Sequence, residues 1–489
     1  MPDYGVVVVG AGNAALAAAV SAREQGAGRV LVLEKAPREL RGGNTHYSGG
    51  LFRFAFDNVA DLLPLLPESS RSDPKVLDGV GSYHESRFLE DLMRVTENRS
   101  EPELAEMLVR RSSATVRWIV EQGVELEPAV SLTGVKVGGT VKWPSGAVLR
   151  ARGEGVGLSR MWFEIAERRG VEIRYRSRAV LLLRDRRGRV TGVTVEGPEG
   201  FEEITARAVV LGCGGFEANA EWRARYLGRP WDMVKVRGTR YNTGDGLRMA
   251  LEIGALPYGQ WTGAHATPID AEAPPYGDRR LTDKTNRLSY PLGVMLNTKG
   301  RRFVDEGEDF QLYTYAKYGA AILNQPRGLA FQLFDARVAP LLEGRYRTGT
   351  PIVADSLENL VERLPVDRTK ALETLEEYNA AVAPGRFDPS ELDGLATKGL
   401  PLPKSNWAQP LDRPPFSVYP VTCGITFTFG GLRVNDRARV LSSSWEPIPG
   451  LYACGEMVGG LFFMNYPGGS GLTSGAVFGR LAGANAAAE

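Results

Sequence analysis

The stretch VVVVGAGNAALAAAV, residues 6–20, decides the fold. Four consecutive valines read as a buried strand that runs straight into Gly10, Ala11 and Gly12. From Asn13 to residue 25 the chain reads as an Ala-rich helix, and Val30 to Leu33 as a second buried strand. Together they make a βαβ unit with Gly10, Gly12 and Ala15 in the GxGxxG/A frame. Gly10 permits the tight turn, Gly12 lets the backbone approach a pyrophosphate, and Ala15 keeps helix and sheet close. The N–H groups of Asn13 and Ala14 open the helix toward the phosphates. Glu34 ends the second strand 22 residues after Gly12, where an acid binds both ribose hydroxyls, with Lys35 beside it.

The fingerprint alone leaves NAD and FAD open. RGGNTHYSGG (41–50) separates them, because a second Gly-rich turn just after the ribose acid suits a dinucleotide running on toward an isoalloxazine ring. Gly42, Gly43, Asn44, Thr45, Ser48, Gly49 and Gly50 are therefore expected at FAD; an ordinary polar loop is the alternative.

Working outward, helices are expected at about 84–97, 101–122 and 158–169, the second opening on a Ser100/Glu103 capping box. Strands follow over 171–195, turning at Arg186–Gly188, and again over 206–217; a helix starts at Asp245. Between 259 and 420 prolines become frequent, and short helices are expected at about 355–363 and 368–382. From Cys423 the strand-then-helix style of the N-terminus returns. The reading is an α/β protein: a discontinuous Rossmann-like FAD-binding domain of the GR2 type (1–258 and 423–489) with an inserted α+β capping, substrate-binding domain (259–422).

Composition narrows the function. The chain has 489 residues, with Lys+Arg 59 against Asp+Glu 58. That balance gives no basis for a nucleic-acid or membrane-surface partner. No apolar run approaches the ~18 residues of a membrane span, so no membrane insertion is expected. Three scattered cysteines without CxxC spacing argue against disulfide scaffolds and metal sites and fit a reducing cytoplasm.

Several motifs, in order over nearly the whole chain, resemble the fumarate reductase/succinate dehydrogenase flavoprotein superfamily. GTRYNTGDGLRMALEIGA (238–255) is similar to its TGDG helix beside the flavin, and LNTKGRRFVDEGEDFQLYTYAKYG (296–319) to its GRRFVNE segment. CGITFTFGGLRVN (423–435) sits at its TxGG turn, and PGLYACGEMVGGLFFMNYPGGSGLTSGAVFGRLAG (449–483) is similar to its C-terminal block. The resemblance implies non-covalent FAD, with Gly214, Asp245, Gly455 and Glu456 at the cofactor and Ser470, Gly471, Leu472 and Thr473 opening a helix toward the flavin pyrimidine. ITFTFGG, NYPGG and the DEGEDF…YTYAKYG string are most like the tricarballylate dehydrogenase branch; GGNTHYSGG and YPGG are also similar to ketosteroid dehydrogenases. In both, a base removes an acidic C–H and the neighbouring carbon gives hydride to flavin N5.

The departures matter as much. Thr426 and Phe427 stand where fumarate reductases carry a histidine, and Asn465 and Tyr466 where they carry a substrate-clamping arginine. Gly307 to Leu312 holds no arginine, and Gln311 takes the place of the arginine of the tricarballylate branch. A true fumarate reductase is thereby argued against.

The candidate catalytic residues are Tyr466, which the ketosteroid dehydrogenase resemblance implies polarises a carbonyl, and His265, matching a carboxylate-binding histidine. Arg240 and Arg302 are the candidate cations, Gln311 an orienting group, and Tyr315, with Tyr313 and Tyr318, a candidate acid or base. Packing or salt-bridge roles remain the alternatives for each. His46 lies near the loop where succinate dehydrogenases attach FAD, but out of register with it; Cys213 and Cys454 read as packing residues. The expected activity is desaturation next to a carboxylate or ketone in a small, anionic metabolite. With no CxxCH motif and no iron–sulfur cysteine set, electrons leave to a separate protein, a quinone or O2. The reverse reductase reaction and a non-catalytic flavin-binding partner subunit remain open.

Overall fold

The computed structural model describes residues 2–68, 76–137 and 139–489. Its first sheet is built on β1 (Tyr4–Val9), which is buried along its whole length and pairs in parallel with β2 (Val30–Glu34). On its other side β1 pairs in parallel with the strand Gly200–Leu211, in the register Val7↔Val209 and Val9↔Leu211. Pro447–Ala453 and Glu172–Tyr175 extend the sheet at either end, also in parallel. An unbroken valine run fits this centre, because both faces of the sheet are covered. Helix α1 (Asn13–Glu24) lies on one face, against the C-terminal helix Ser470–Ala487. Small residues make that contact close: a Cβ on Gly479 would stand 2.3 Å from the Ala14 carbonyl oxygen, and one on Gly483 2.1 Å from that of Ala18. The C-terminus thus returns to the N-terminal unit.

The second sheet forms the core of the cap. Its spine is the strand Phe416–Leu432, which pairs antiparallel with Pro257–Asp270 and with Leu329–Phe334, and in parallel with Lys235–Val236. Helix Gln311–Leu323 packs on this sheet, while Leu357–Glu362 and Arg368–Ala381 cover a separate apolar cluster with Leu296, Leu333 and Val418. The two long strands run across positions 258/259 and 422/423, and their pairing from Pro257↔Leu432 to Asp270↔Val421 lies within this one sheet.

One local expectation fails. Helix Pro102–Gln122 has no capping box; its N-cap is Glu101, without a side-chain cap. The Ser100 hydroxyl instead donates to the Leu461 carbonyl at 2.7 Å, and Glu103 pairs with Arg433 at 3.1 Å. Tertiary partners displaced the local one. Among the described residues no helix is long and apolar enough to cross a membrane.

Candidate active site

A long cleft runs between the two bodies, starting where β1 ends. Gly10 has φ +101°, and a Cβ there would lie 2.6 Å from the Gly212 carbonyl oxygen, so only glycine lets β1 turn against its neighbour. Helix α1 opens at the cleft with Gly12 as N-cap, and the C-terminal helix opens there with Gly469 as N-cap. Neither helix has a side-chain cap or an acidic residue in its first turn. Asn13 ties the two ends together: its amide donates to the Leu472 carbonyl at 2.9 Å and accepts from the Trp162 indole at 2.8 Å. The Asn13 N–H, expected at the phosphates, instead donates to Thr45 Oγ1 at 2.8 Å. The remaining N–H groups of the two helix ends, with their positive dipoles, suit a ligand's anionic groups.

At the far end Glu34 is 7 % exposed and accepts the Ala36 N–H at 2.8 Å. Burial pushes its carboxyl up to about 7. A carboxylate short of donors at the end of β2 is suited to ribose hydroxyls. Lys35 is turned away to Asp245, 2.6 Å off, which Arg178 also holds at 2.6 Å. Burial works against the Asp245 charge, but these two cations outweigh it and hold the carboxyl below its usual range. The donor-rich helix ends and the acceptor at Glu34 fit a dinucleotide.

Gly10, Gly12, Asn13, Ala14, Glu34, Lys35, Gly43, Asn44, Thr45, Ser48, Gly214, Asp245, Gly455, Glu456, Gly471 and Leu472 line the cleft. Gly42, Gly49, Gly50, Ser470 and Thr473 stand behind it. Gly42 takes the left-handed turn that brings its loop against Ser159, and Gly50 passes Glu154. Ser470 and Thr473 face inward on the C-terminal helix and are fully buried. The expectations missed Ser177, Arg178, Arg237, Asn242 and Thr428, which also line the cleft. These sit outside glycine-rich motifs or beside a residue chosen instead. His46 does not line it; its Nδ1 meets Arg279 at 3.2 Å, and burial and that cation push its imidazole down to about 4. Cys213 lines the cleft, and burial pushes its thiol up to about 12, consistent with packing.

At the cap end the wall is aromatic, made of Phe427, Phe429, Phe462 and Tyr466 with the aliphatic Leu461. Tyr466 is held by straps between its loop and the cap helix: the Asn465 amide donates to the Tyr313 carbonyl, and Gly468 N–H to that of Leu312 at 2.8 Å. Arg53, fully buried, donates to the Gly468 carbonyl at 2.8 Å from behind. This sets the Tyr466 hydroxyl against that of Tyr315, and the two phenols hydrogen-bond. Burial raises both phenols above their usual range.

His265 stands opposite Phe427 on the paired strand at a shift of register, and the rings stack 4.9 Å apart, 9° from parallel. Its edge-on contacts to Tyr315 and Tyr466 are both 4.9 Å, and neither ring nitrogen has a hydrogen-bond partner. Burial, then Arg237, keeps the imidazole neutral.

The remaining candidates lie elsewhere. Arg240 is exposed and rests on the Tyr276 ring, 5.3 Å from its centre. The adjacent backbone explains this: a Cβ at Gly238 would stand 2.2 Å from Asn44 Oδ1, and the Thr239 N–H donates to that oxygen, so the chain hugs Asn44 and turns Arg240 outward. Arg237 instead lines the cleft beside Thr426 and Phe427, paired with Asp283 at 2.8 Å and donating to Thr426 Oγ1 at 3.0 Å. Arg302 is buried in an ion pair with Glu306 and donates to the Leu402 carbonyl at 2.8 Å. Gln311 starts the cap helix and opens onto a second cavity of about 830 Å³ with Ser145, Phe310 and Leu342. Tyr315, one turn further on, is the residue of that helix that meets Tyr466.

The family described as FAD binding domain matches residues 5–472. The chain belongs to this family. A probable fumarate reductase of Shewanella frigidimarina is 31 % identical over 488 residues, covering 99 % of this chain and 74 % of the relative. The 4-oxocyclohexanecarboxylate 2-dehydrogenase of Sinomonas cyclohexanicum is 27 % identical over 556 residues, covering 99 % and 93 %. The structure of a 3-ketosteroid Δ1-dehydrogenase from Sterolibacterium denitrificans shares the fold, with a TM-score of 0.75 over 99 % of both chains at 23 % identity. The protein is an FAD-dependent oxidoreductase of the fumarate reductase/succinate dehydrogenase flavoprotein superfamily. FAD is the dinucleotide whose groups the cleft fits.

Proposed function

We propose that this flavoprotein works on carbon–carbon bonds and desaturates the one next to a ketone in a small substrate. The observation that carries the reading is the Tyr315–Tyr466 phenol pair at an aromatic wall where Arg237 is paired with Asp283 and Arg53 is turned to the Gly468 and Ser145 carbonyls behind the loop. A dicarboxylate or tricarboxylate needs several unpaired cationic donors. Arg237 is neutralised by Asp283, Arg302 by Glu306, and Arg240 lies outside. A ketone needs one good donor and an apolar surround. The relative from Sinomonas bears the name of a dehydrogenase for an oxo-substituted ring, which supports the choice.

Tyr466 donates to the carbonyl oxygen, which acidifies the adjacent C–H, and Tyr315, once ionised to its phenolate, takes that proton. Bound FAD supplies the hydride acceptor for the neighbouring carbon. The neutral His265 ring and Phe427 hold the phenols in place and keep water out. Residues 259–422 act as the cap that closes the site. FAD is bound without a covalent link, in line with the place of His46. Electrons then pass to a separate protein, quinone or O2. A carboxylate elsewhere on the substrate is compatible with this; tricarballylate, with three, is disfavoured.

The second reading is reduction of an activated C=C bond, favoured by the name of the 31 % identical relative. The same two phenols would polarise an enone and return the proton. Anaerobic spectra separate these readings. Bleaching of the oxidised flavin by a cyclic ketone, abolished in Tyr466→Phe, is expected. Bleaching by tricarballylate or succinate and not by ketones overturns the ketone assignment. Reoxidation of dithionite-reduced enzyme by an enone, without bleaching by any saturated ketone, establishes the reductase.

A further inference from the structure

Two carboxylic acids meet beneath the cofactor cleft, and the mechanism above uses neither. Glu456 lines the cleft; its Oε1 accepts from the Thr428 N–H at 2.7 Å and from the Thr428 hydroxyl at 3.1 Å. Glu217 lies behind it and is wholly buried. Its Oε1 accepts from the amides of Asn44 at 2.7 Å and Asn242 at 2.6 Å. Among the described residues its Oε2 is buried without a donor, and the side chain it interacts with is the carboxyl of Glu456. Asn44 cannot turn to help, because its amide also donates to the Thr426 carbonyl at 2.6 Å and its oxygen accepts the Thr239 N–H at 2.9 Å. Arg223 touches Glu217 only at its backbone, its guanidinium being spent on the carbonyls of Trp231, Glu217 and Asp232. Two adjoining buried carboxylates without a cation are strongly disfavoured, whereas one proton between them supplies the missing donor.

We propose that Glu217 and Glu456 hold a single shared proton, with Glu217 the positioning residue that presents Glu456 to the FAD cleft as half of a singly charged pair. Burial raises both acids, and Glu456 pushes Glu217 further, well above its usual range. The hydrogen bonds from Glu217 and Thr428 hold Glu456 lower, so the proton rests on Glu217. At neutral pH the pair therefore carries one negative charge instead of two. Negative charge arriving on the cofactor as it is reduced meets one anion, and the pair loses its last proton only on the alkaline side. This rests on FAD binding alone and stands whether the substrate is a ketone or a carboxylate.

The test is infrared spectroscopy of the holoenzyme across pH, with flavin midpoint potentials measured on the same samples. The wild type is expected to show the carbonyl stretch of one buried, protonated carboxylic acid at neutral pH, shifted in D2O and lost at high pH. Its potential should bend over the same alkaline range. Glu217→Gln keeps the contacts to Oε1 and offers Glu456 a permanent N–H donor. It should retain FAD, lose the acid band and lose the alkaline bend. Should that variant fail to fold, Glu456→Gln must remove the same pH-dependent bend. Absence of an acid band from the wild type at neutral pH overturns the proposal. So does an acid band or a bend that survives in either variant.

Discussion

The two ends of the cleft are built in opposite ways. The cradle at Gly10, Gly12 and Glu34 comes from one continuous βαβ unit, and its chemistry is mostly backbone: a positive φ, free N–H groups, one acid at a strand end. The aromatic wall takes Phe427 from a strand and Tyr466 from a loop, backed by His265 from a second strand and Tyr315 from a helix, and the chemistry proposed for it is all side chain. Backbone chemistry at fixed local spacing survives any rearrangement of the rest of the chain. A wall assembled from four elements exists only if the cap docks in one register. The cradle should accordingly fail through loss of cofactor, and the wall through loss of rate with cofactor still bound.

The hardest break is Gly10→Ala. A Cβ there would press on the Gly212 carbonyl oxygen and on Cys213 Cα, 2.7 Å away, both of them backbone that cannot step aside. Purified variant is expected to carry no FAD and to unfold well below the wild type, as read from flavin absorbance and thermal melts. Native-like flavin content would show that β1 closes without glycine.

Next in size, Tyr466→Phe should keep full flavin occupancy and lose about 10²–10⁴-fold in the rate of flavin reduction, the usual scale for a lost acid–base partner. Because burial raises both phenols, reduction by a ketone should quicken as pH rises through the alkaline range, and Tyr315→Phe should flatten that profile. A variant that reduces at the wild-type rate would make the phenol pair mere packing.

Smaller is the effect of Glu34→Gln. Replacing a charged acceptor costs about 1.5–3 kcal/mol, so FAD affinity should fall roughly tenfold to a hundredfold. The sign with pH follows from the raised carboxyl. In the apoprotein a group moved from 4.5 to about 7 binds more protons folded than unfolded, so stability falls as pH rises between those values. Ribose hydroxyls favour the ionised form, so FAD affinity should rise toward pH 7 and then level off. Calorimetry of wild type and variant checks both; an affinity that does not vary with pH in the wild type would place the ribose elsewhere.

Least of all should follow from Arg240→Ala, expected within about ±0.5 kcal/mol in stability and without change in rate. Arg237→Ala, three positions away, removes one of the two cations on buried Asp283, which Arg345 still holds, and should by contrast destabilise by about 1.5–3 kcal/mol. Equal effects at the two positions would contradict the outward turn at Gly238.

The legible part of the sequence was whatever depends on local spacing. The βαβ unit, the acid at Glu34, the helix from Asp245 and the return of the C-terminus to the first sheet could all be read from residue order. The fold and cofactor followed, because a glycine turn at a helix N-terminus does the same chemistry wherever the unit sits. Tertiary structure alone decided which arginine reaches the cleft. Arg237 and Arg240 differ by three positions in one motif, and only the close passage past Asn44 tells them apart. It likewise turned Gln311 to the second cavity and Tyr315 to Tyr466, a matter of one helical turn set by how the cap helix is strapped to the Asn465–Gly468 loop. Glu217 was invisible for the same reason, since nothing in GGFE announces the carboxyl of Glu456 across the cleft. Backbone recognition is encoded where it acts, whereas the meeting of two side chains from distant elements is fixed only when the elements pack.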